Sequence, residues 1–409
     1  MAYKYKHFIS QNIAPSGAKS IGVYDSDNNK VAEIPLGRLT PPKDKPLYSF
    51  GLLSDIHMTG DSNVGTTLKD GNGYITDGYY FRKALEFFNE AGCNFVCISG
   101  DITDVGLFSY TNESNKSEYY WYYPNQFEEY KDICDLFPNM PVYSCCGNHE
   151  SYVKNIVNIV DDKWENPKNN NNQWIAKPEP WTKIDSQAKL RYYTRTPLYY
   201  TISSENTTET SLTEGTVEVI ENGGNIQLPL NNHTNDVFIM FGQPTPTANS
   251  TWTAQIDWLE ATLQANKDKR CFVFEHLTLN TDSGNPENVH NAYWGTLENR
   301  LVSILSKYEN VILFHGHSHL QFQEQTKVAY SNYSTKRGFK SVHIPSTSHT
   351  RYMVDKNNNG VWDSGEKENI SDGAQGYICD VYEDFIVLRG YDFQTKEFIP
   401  VAQYRIDIC

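Results

Sequence analysis

No apolar run in this 409-residue chain approaches the ~20 residues that a membrane-spanning helix needs, so a helical membrane span is not expected. The opening residues, MAYKYKHFISQNIAPSG, hold no apolar stretch resembling a secretory leader, and synthesis without one is expected. Basic residues are few. Thirty-five Lys and Arg against 50 Asp and Glu leave a net charge of −15, which argues against non-specific binding to nucleic-acid backbones. The eight cysteines include no Cys-x-x-Cys pair, the spacing of thiolate zinc and redox sites. Cys97, Cys145, Cys146 and Cys271 fall inside apolar runs and are expected as buried, reduced thiols. These shortages suggest a soluble chain, cytoplasmic or released without a Sec signal, with virion or cell-surface association left open. Oligomeric state is not legible.

What is present is an alternation. LYSFGLLSD reads as a buried strand, YYFRKALEFFNEAG as a helix with Phe81, Leu85 and Phe88 on one face and a stop at Ala91-Gly92, and NFVCISGD as the next strand. NQFEEYKDICDLF and PVYSCCGN continue the pattern. It resumes with DVFIMFG, QIDWLEATLQAN, CFVFEH, LENRLVSILSKY and NVILFHG. Strands alternating with helices predict βαβ units and an open, mostly parallel sheet, an α/β fold. The alternation fails over about 151–235, which reads as a β-rich insertion with hairpins in RYYTRTPLYYTISS and GTVEVIENGGNIQLPL. Residues 1–46 read as a small N-terminal β module whose hairpin turns near Asp27, Asn28 and Asn29. Residues 47–409 form the main domain.

The carboxyl ends of the strands carry the chemistry. The first ends in Asp55-Ile56-His57, the second in Gly100-Asp101-Ile102-Thr103-Asp104, and the third in Gly147-Asn148-His149-Glu150. Two later strands end in Glu275-His276 and in Gly316-His317-Ser318-His319. Ligand crevices of open α/β sheets lie outside such strand ends. Any one of these histidines would be unremarkable as a satisfied polar residue. Five ordered blocks of Asp, His and Asn form a joint signal. The donors are oxygen and nitrogen without thiolate, a set suited to Mn²⁺, Fe²⁺ or Zn²⁺ in a working site. Strand alternation would point both members of Asp55-x-His57 and of His317-x-His319 to one side. The glycines before Asp101, Asn148 and His317 would permit tight turns there.

The order D-x-H, GD-x-x-D, GNHE, H, GH-x-H resembles the calcineurin-like metallophosphoesterase superfamily, over roughly residues 47–393. The resemblance implies a four-layer α/β/β/α sandwich with a dinuclear metal centre between two sheets. It implies that Asp55, His57 and His319 hold one ion, that Asn148, His276 and His317 hold the other, and that Asp101 bridges them. His149 would face the leaving group, oriented by Asp104, and Asn148 and His149 would contact the substrate. His315 is left over, either as a packed residue or as one that supports the ligands from behind. The implied reaction is hydrolysis of a phosphate ester by a hydroxide bridging two divalent ions about 3.5–4 Å apart. Cys146 stands where Ser/Thr protein phosphatases carry Arg, and Asp104 where purple acid phosphatases carry a ligand Tyr. The first departure disfavours protein dephosphorylation and the second a purple ferric centre. The five-block pattern resembles most the small-substrate phosphodiesterases of the cyclic-nucleotide and glycerophosphodiester type. A general phosphomonoesterase, or a non-catalytic surface or virion binding protein on the same fold, is the alternative.

Three further features stand outside that pattern. Tyr119, Tyr120, Trp121, Tyr122 and Tyr123 follow the second strand and could wall a substrate pocket or pack the insertion. Lys189, Arg191 and Arg195 could meet a phosphate, although a solvated hairpin face explains them as well. Residues 355–366 have the spacing of a twelve-residue calcium loop, and an Asn/Gly-rich turn would read almost the same. The substrate expected is a small-molecule or polymeric phosphate ester.

Overall fold

The computed structural model describes residues 20–24, 30–35, 45–58, 77–103, 107–111, 117–121, 123–151, 199–204, 224–230, 235–242, 249–279, 297–326, 332–353 and 368–408. Asp104, Tyr122, Lys189, Arg191, Arg195, the loop at 355–366 and most of the 151–235 stretch lie outside them.

Two sheets carry the molecule. In the first, β3 (Tyr48–Leu53), β4 (Phe95–Ile98) and β7 (Val142–Ser144) run parallel. On the other side of β3 the chain adds an antiparallel meander of β17 (Gln375–Val381), β18 (Phe385–Asp392) and β19 (Glu397–Asp407). In the second sheet, β10 (Asp236–Phe241), β11 (Arg270–Phe274), β12 (Val311–His315) and β14 (Lys340–His343) are parallel. One edge carries β13 (Tyr333–Ser334), antiparallel to β14.

The other edge corrects the sequence reading. Tyr199–Ser203 and Asn225–Gln227, expected as arms of separate hairpins, are β8 and β9 of this same sheet. β8 pairs antiparallel with β10, and β9 pairs parallel with β8. This end of the supposed insertion is therefore built into the sheet. The alternating strands divide between two sheets, as the family resemblance implied, each with a parallel centre and antiparallel additions. Three hairpins complete the strands: β1 (Ser20–Tyr24) with β2 (Lys30–Pro35), β5 (Leu107–Thr111) with β6 (Ser117–Trp121), and β15 (His349–Met353) with β16 (Glu368–Asp372).

The central strands are apolar on consecutive residues because both of their faces are covered. Phe238 and Met240 of β10 meet Tyr48, Phe50 and Leu52 of β3 in a core between the sheets, while Val237, Ile239 and Phe241 face outward. That outer face packs on α4 (Asn249–Ala265) through Trp252, Ile256, Leu259 and Leu263, and on α5 (Leu297–Leu305) through Leu301, Ile304 and Leu305. The first sheet's outer face packs on Phe81, Leu85 and Phe88 of α1 (Asp77–Glu90) and on Tyr130 and Ile133 of α2 (Tyr123–Asp135). Three core slabs result, one between the sheets and one on the outer face of each. Each fully buried Phe contributes roughly 1.5–3 kcal/mol. Helix α1 stops where expected. Gly92 takes φ +76°, and the Cys93 and Gly92 amides donate to Phe88 O and Asn89 O in a Schellman closure.

At the amino ends of the strands, a buried cluster ties the sheets together. Tyr48 Oη donates to Asp236 Oδ2 at 2.5 Å, and Arg270 grips Asp236 with two bonds of 2.7 Å. Arg270 also donates to Tyr382 O, after β17, at 2.6 Å. Burial and the adjacent Asp236 raise the Tyr48 pKa well above its usual range, keeping the phenol a donor. Among the described residues Cys97, Cys145, Cys146 and Cys271 are buried free thiols as expected, and so are Cys93 and Cys379. Among the described residues no helix is long and apolar enough to cross a membrane.

Candidate metal centre

The five blocks converge at the carboxyl ends of both sheets. Asp55 and His57 follow β3, Asp101 follows β4, and Asn148, His149 and Glu150 open a short helix, α3 (Asn148–Ser151), after β7. From the second sheet, His276 follows β11, while His317 and His319 follow β12.

The paired residues do not converge by strand alternation, as the sequence suggested. β3 and β12 end first, at Leu53 and His315, and the donors sit in left-handed turns. Asp55, His57, Asp101, His317 and His319 have φ of 51°, 52°, 51°, 69° and 61°. Of the described non-glycine residues, only Lys396 shares that sign of φ. Such a backbone costs roughly 1–3 kcal/mol per residue and persists where surrounding bonds fix it. Here the Ile56 and His57 amides donate to Asp101 O, and Met58 N donates to Ile102 O. Of the three glycines only Gly100 uses a positive φ, +93°. Gly147 and Gly316 matter for space, since a Cβ would strike Asp101 Oδ1 and Ser54 Oγ respectively.

The side chains form one buried group. Asp55 Oδ2 accepts from Ser54 Oγ at 2.5 Å and from His317 N at 2.9 Å, while Oδ1 lies 2.9 Å from His319 Nε2. Asp101 Oδ1 accepts from His149 N at 2.9 Å, and Oδ2 lies 2.9 Å from His276 Nε2 and 3.8 Å from His149 Nε2. His57 Nε2 and His319 Nε2 are 2.9 Å apart. Asp55, His57 and His319 offer ligand atoms within 4.8 Å of one another, as do Asp101, His276 and His317. The same spacing joins His57, Asp101 and His149. Asn148 is buried beside them, whereas Asp104, the expected partner of His149, lies outside the described residues.

The donors fit a cation. The His276 ring bonds Ser99 O through Nδ1 at 2.8 Å, and only an N–H can face a carbonyl there. Nε2 of neutral His276 would then turn a lone pair toward the Asp101 carboxylate. A proton or a metal ion must lie between them, and a ligand histidine whose other nitrogen donates to a backbone carbonyl is a recurrent metal-site arrangement. Without an ion, burial would lower the His276 pKa, but Asp101 and Asp55 push it up to about 10. For His319 burial prevails over Asp55, and the imidazole falls to about 4. Burial would raise Asp55 too, yet His319 and His276 hold it well below the usual carboxylate range.

Several residues that shape the site have no role assigned from the sequence. Glu150 is buried, and its carboxylate accepts the Asp101, Gly147 and Thr103 amides at 3.1, 2.7 and 2.8 Å. Ser346 Oγ donates to Asp55 O, Thr347 N and Oγ1 donate to Ser54 O, and Ser348 Oγ donates to Ile56 O, all at 2.7–2.9 Å. Arg351 N donates to His319 O at 2.8 Å. His315 is buried and meets Ser341 Oγ at 3.2 Å, as a packed residue would.

Two stacked sheets thus gather carboxylates and imidazoles at one rim, a donor set that could hold metal ions. The sequence pattern of the calcineurin-like phosphoesterases matches residues 48–321, and the chain belongs to that family, hydrolases of phosphoric esters. Solved structures with some likeness include a conserved uncharacterized protein, a predicted phosphoesterase, from Streptococcus pneumoniae TIGR4. It is 8% identical, with 88% of this chain and 97% of that chain covered and a TM-score of 0.28. Yfce, a phosphoesterase from E. coli, is 11% identical, with 88% and 100% covered and a TM-score of 0.28. These likenesses are loose, and family membership stands on the sequence match. No curated protein is significantly similar to the chain.

Proposed function

We propose that this chain is a dimetal phosphodiesterase in which Asp55, His57 and His319 hold one ion, Asn148, His276 and His317 hold a second, and Asp101 bridges the two. The reading rests above all on His276, which donates through Nδ1 to Ser99 O and so aims Nε2 at the buried Asp101 carboxylate, 2.9 Å away. Mn²⁺, Fe²⁺ and Zn²⁺ all suit these oxygen and nitrogen donors. When bound, the ions would supply Lewis acidity and an activated water.

The chain's own residues would do the remaining work. Asp55 and Asp101 set the negative charge of the cradle, and their bonds to the His317 and His149 amides fix each carboxylate's orientation. His149 is a partly exposed imidazole, with its ring 4.7 Å from that of His57. It would donate a proton to the departing alkoxide. The Asn148 amide would steady a phosphoryl oxygen. Diester preference is supported by the sequence, in which the long aromatic segment after Asp104 and the stretch after Glu150 each follow a strand that ends in proposed ligands and could supply apolar walls for a second organic group.

A metal-supplemented comparison of bis-nitrophenyl phosphate with nitrophenyl phosphate tests the reading. Higher kcat/KM on the diester is expected. A better monoester would make this a general phosphomonoesterase, and hydrolysis of neither would leave a binding protein on the same fold.

A further inference from the structure

Between the two histidines of the last block lies Ser318, a fully buried residue that takes no part in the proposed ligand set. Its Oγ lies 2.8 Å from His343 Nε2, and His343 Nδ1 lies 3.3 Å from Asn332 Oδ1. All three residues are fully buried. Asn332 Nδ2 donates to Phe322 O at 3.1 Å, which turns its carbonyl oxygen toward His343. An amide oxygen only accepts, so Nδ1 of His343 carries the hydrogen and Nε2 is bare. The Ser318 hydroxyl must therefore donate. The chain of bonds has one direction, from Ser318 to His343 to Asn332.

We infer that this Ser318–His343–Asn332 relay is a positioning device for the metal centre, fixing the turn on which His317 and His319 are presented. The inference rests on the proposed ligation by those two histidines. Both have left-handed φ, 69° and 61°, so the tripeptide is held in a conformation it would otherwise leave. Ser318 is the residue between them, and its hydroxyl fixes the turn to β14, the neighbouring strand that carries His343. The same hydroxyl is 3.5 Å from the Leu320 amide, and Ser318 N donates to Gly316 O at 2.9 Å. Asn332 and His343 lie beyond residue 321, where the family match ends. A part of this chain outside the shared pattern would thus set the geometry of a motif inside it.

Two measurements test the relay, and neither reads phosphoesterase activity. Long-range ¹H–¹⁵N spectra of the histidine-labelled protein should find His343 neutral with its hydrogen on Nδ1. A hydrogen on Nε2 would reverse the relay and overturn the inference. In the second, Co²⁺ is titrated into metal-free wild type and Ser318→Ala against a competing chelator. The variant is expected to bind Co²⁺ about 10–100-fold more weakly, with an altered visible ligand-field spectrum and a metal-free melting temperature near that of wild type. Unchanged affinity and spectrum would overturn the inference. Should Ser318→Ala fail to fold, the His343 tautomer decides alone. Tight Co²⁺ binding that the variant weakens, in a protein that hydrolyses no phosphate ester, would sink the proposed activity and leave the relay standing.

Discussion

Glu150 Oε2 accepts the backbone amide of Asp101 at 3.1 Å, 49 residues back along the chain. Through that bond and its partners on Thr103 and Gly147, one carboxylate joins the turn after β4 to the turn after β7. Glu150→Ala would leave three buried amides without their acceptor, at roughly 1–3 kcal/mol for each donor not re-satisfied. A lower urea midpoint is expected, together with loss of bound metal. A variant with wild-type stability and metal content would show that the turns hold their shape unaided.

Asp101 is the proposed bridge. Protein purified without chelator should carry close to two transition-metal ions per chain, and Asp101→Ala should lose most of both. Elemental analysis decides this, and a single ion with full activity would contradict bridging. The loaded protein should also be colourless, since the proposed ligand set includes no tyrosine to give ferric iron a charge-transfer band.

His149→Ala should keep its metals and lose about 10²–10⁴-fold in rate on substrates with poor leaving groups. Nitrophenolate needs little protonation, so the loss on nitrophenyl esters should be smaller. Equal losses on the two classes would remove His149 as the proton donor. Asp104→Asn is expected to follow the same pattern more mildly.

The aromatic run supplies a separate handle on substrate. Tyr119, Tyr120 and Trp121 lie on β6, the second arm of the hairpin that follows the Asp101 turn. If this arm walls the diester's second group, Tyr120→Ala and Trp121→Ala should raise KM for bis-nitrophenyl phosphate more than for nitrophenyl phosphate. An unchanged ratio would assign the run to packing.

The donors were legible in the sequence because their chemistry is conspicuous at strand ends, and the α1 face was legible from the spacing of Phe81, Leu85 and Phe88. Geometry was less so. Nothing in Asp-x-His or His-x-His distinguishes an extended pair from two left-handed residues, since Asp and His are among the residue types that tolerate both. β8 and β9 are short strands whose pairing partners are distant in sequence, so their local pattern suited hairpins equally well. Glu150, Asn332, His343 and the hydroxyls at 346–348 act by hydrogen bonds across long sequence separations. Ser and Thr are too common for such a role to be visible one residue at a time.

The buried Tyr48–Asp236–Arg270 cluster ties the two sheets at the end remote from the candidate metal centre. Each proposed ion takes ligands from both sheets: Asp55 and His57 with His319, and Asn148 with His276 and His317. The ions would then act as cross-links at the far end of a book bound along its spine. Neither sheet alone offers a full ligand set, so metal should bind only the closed form and stabilise it by RT ln(1 + [M]/Kd), about 4 kcal/mol at a thousandfold excess over Kd. Chelation should accordingly loosen the rim first, with faster amide exchange after β11 and β12 than around Tyr48.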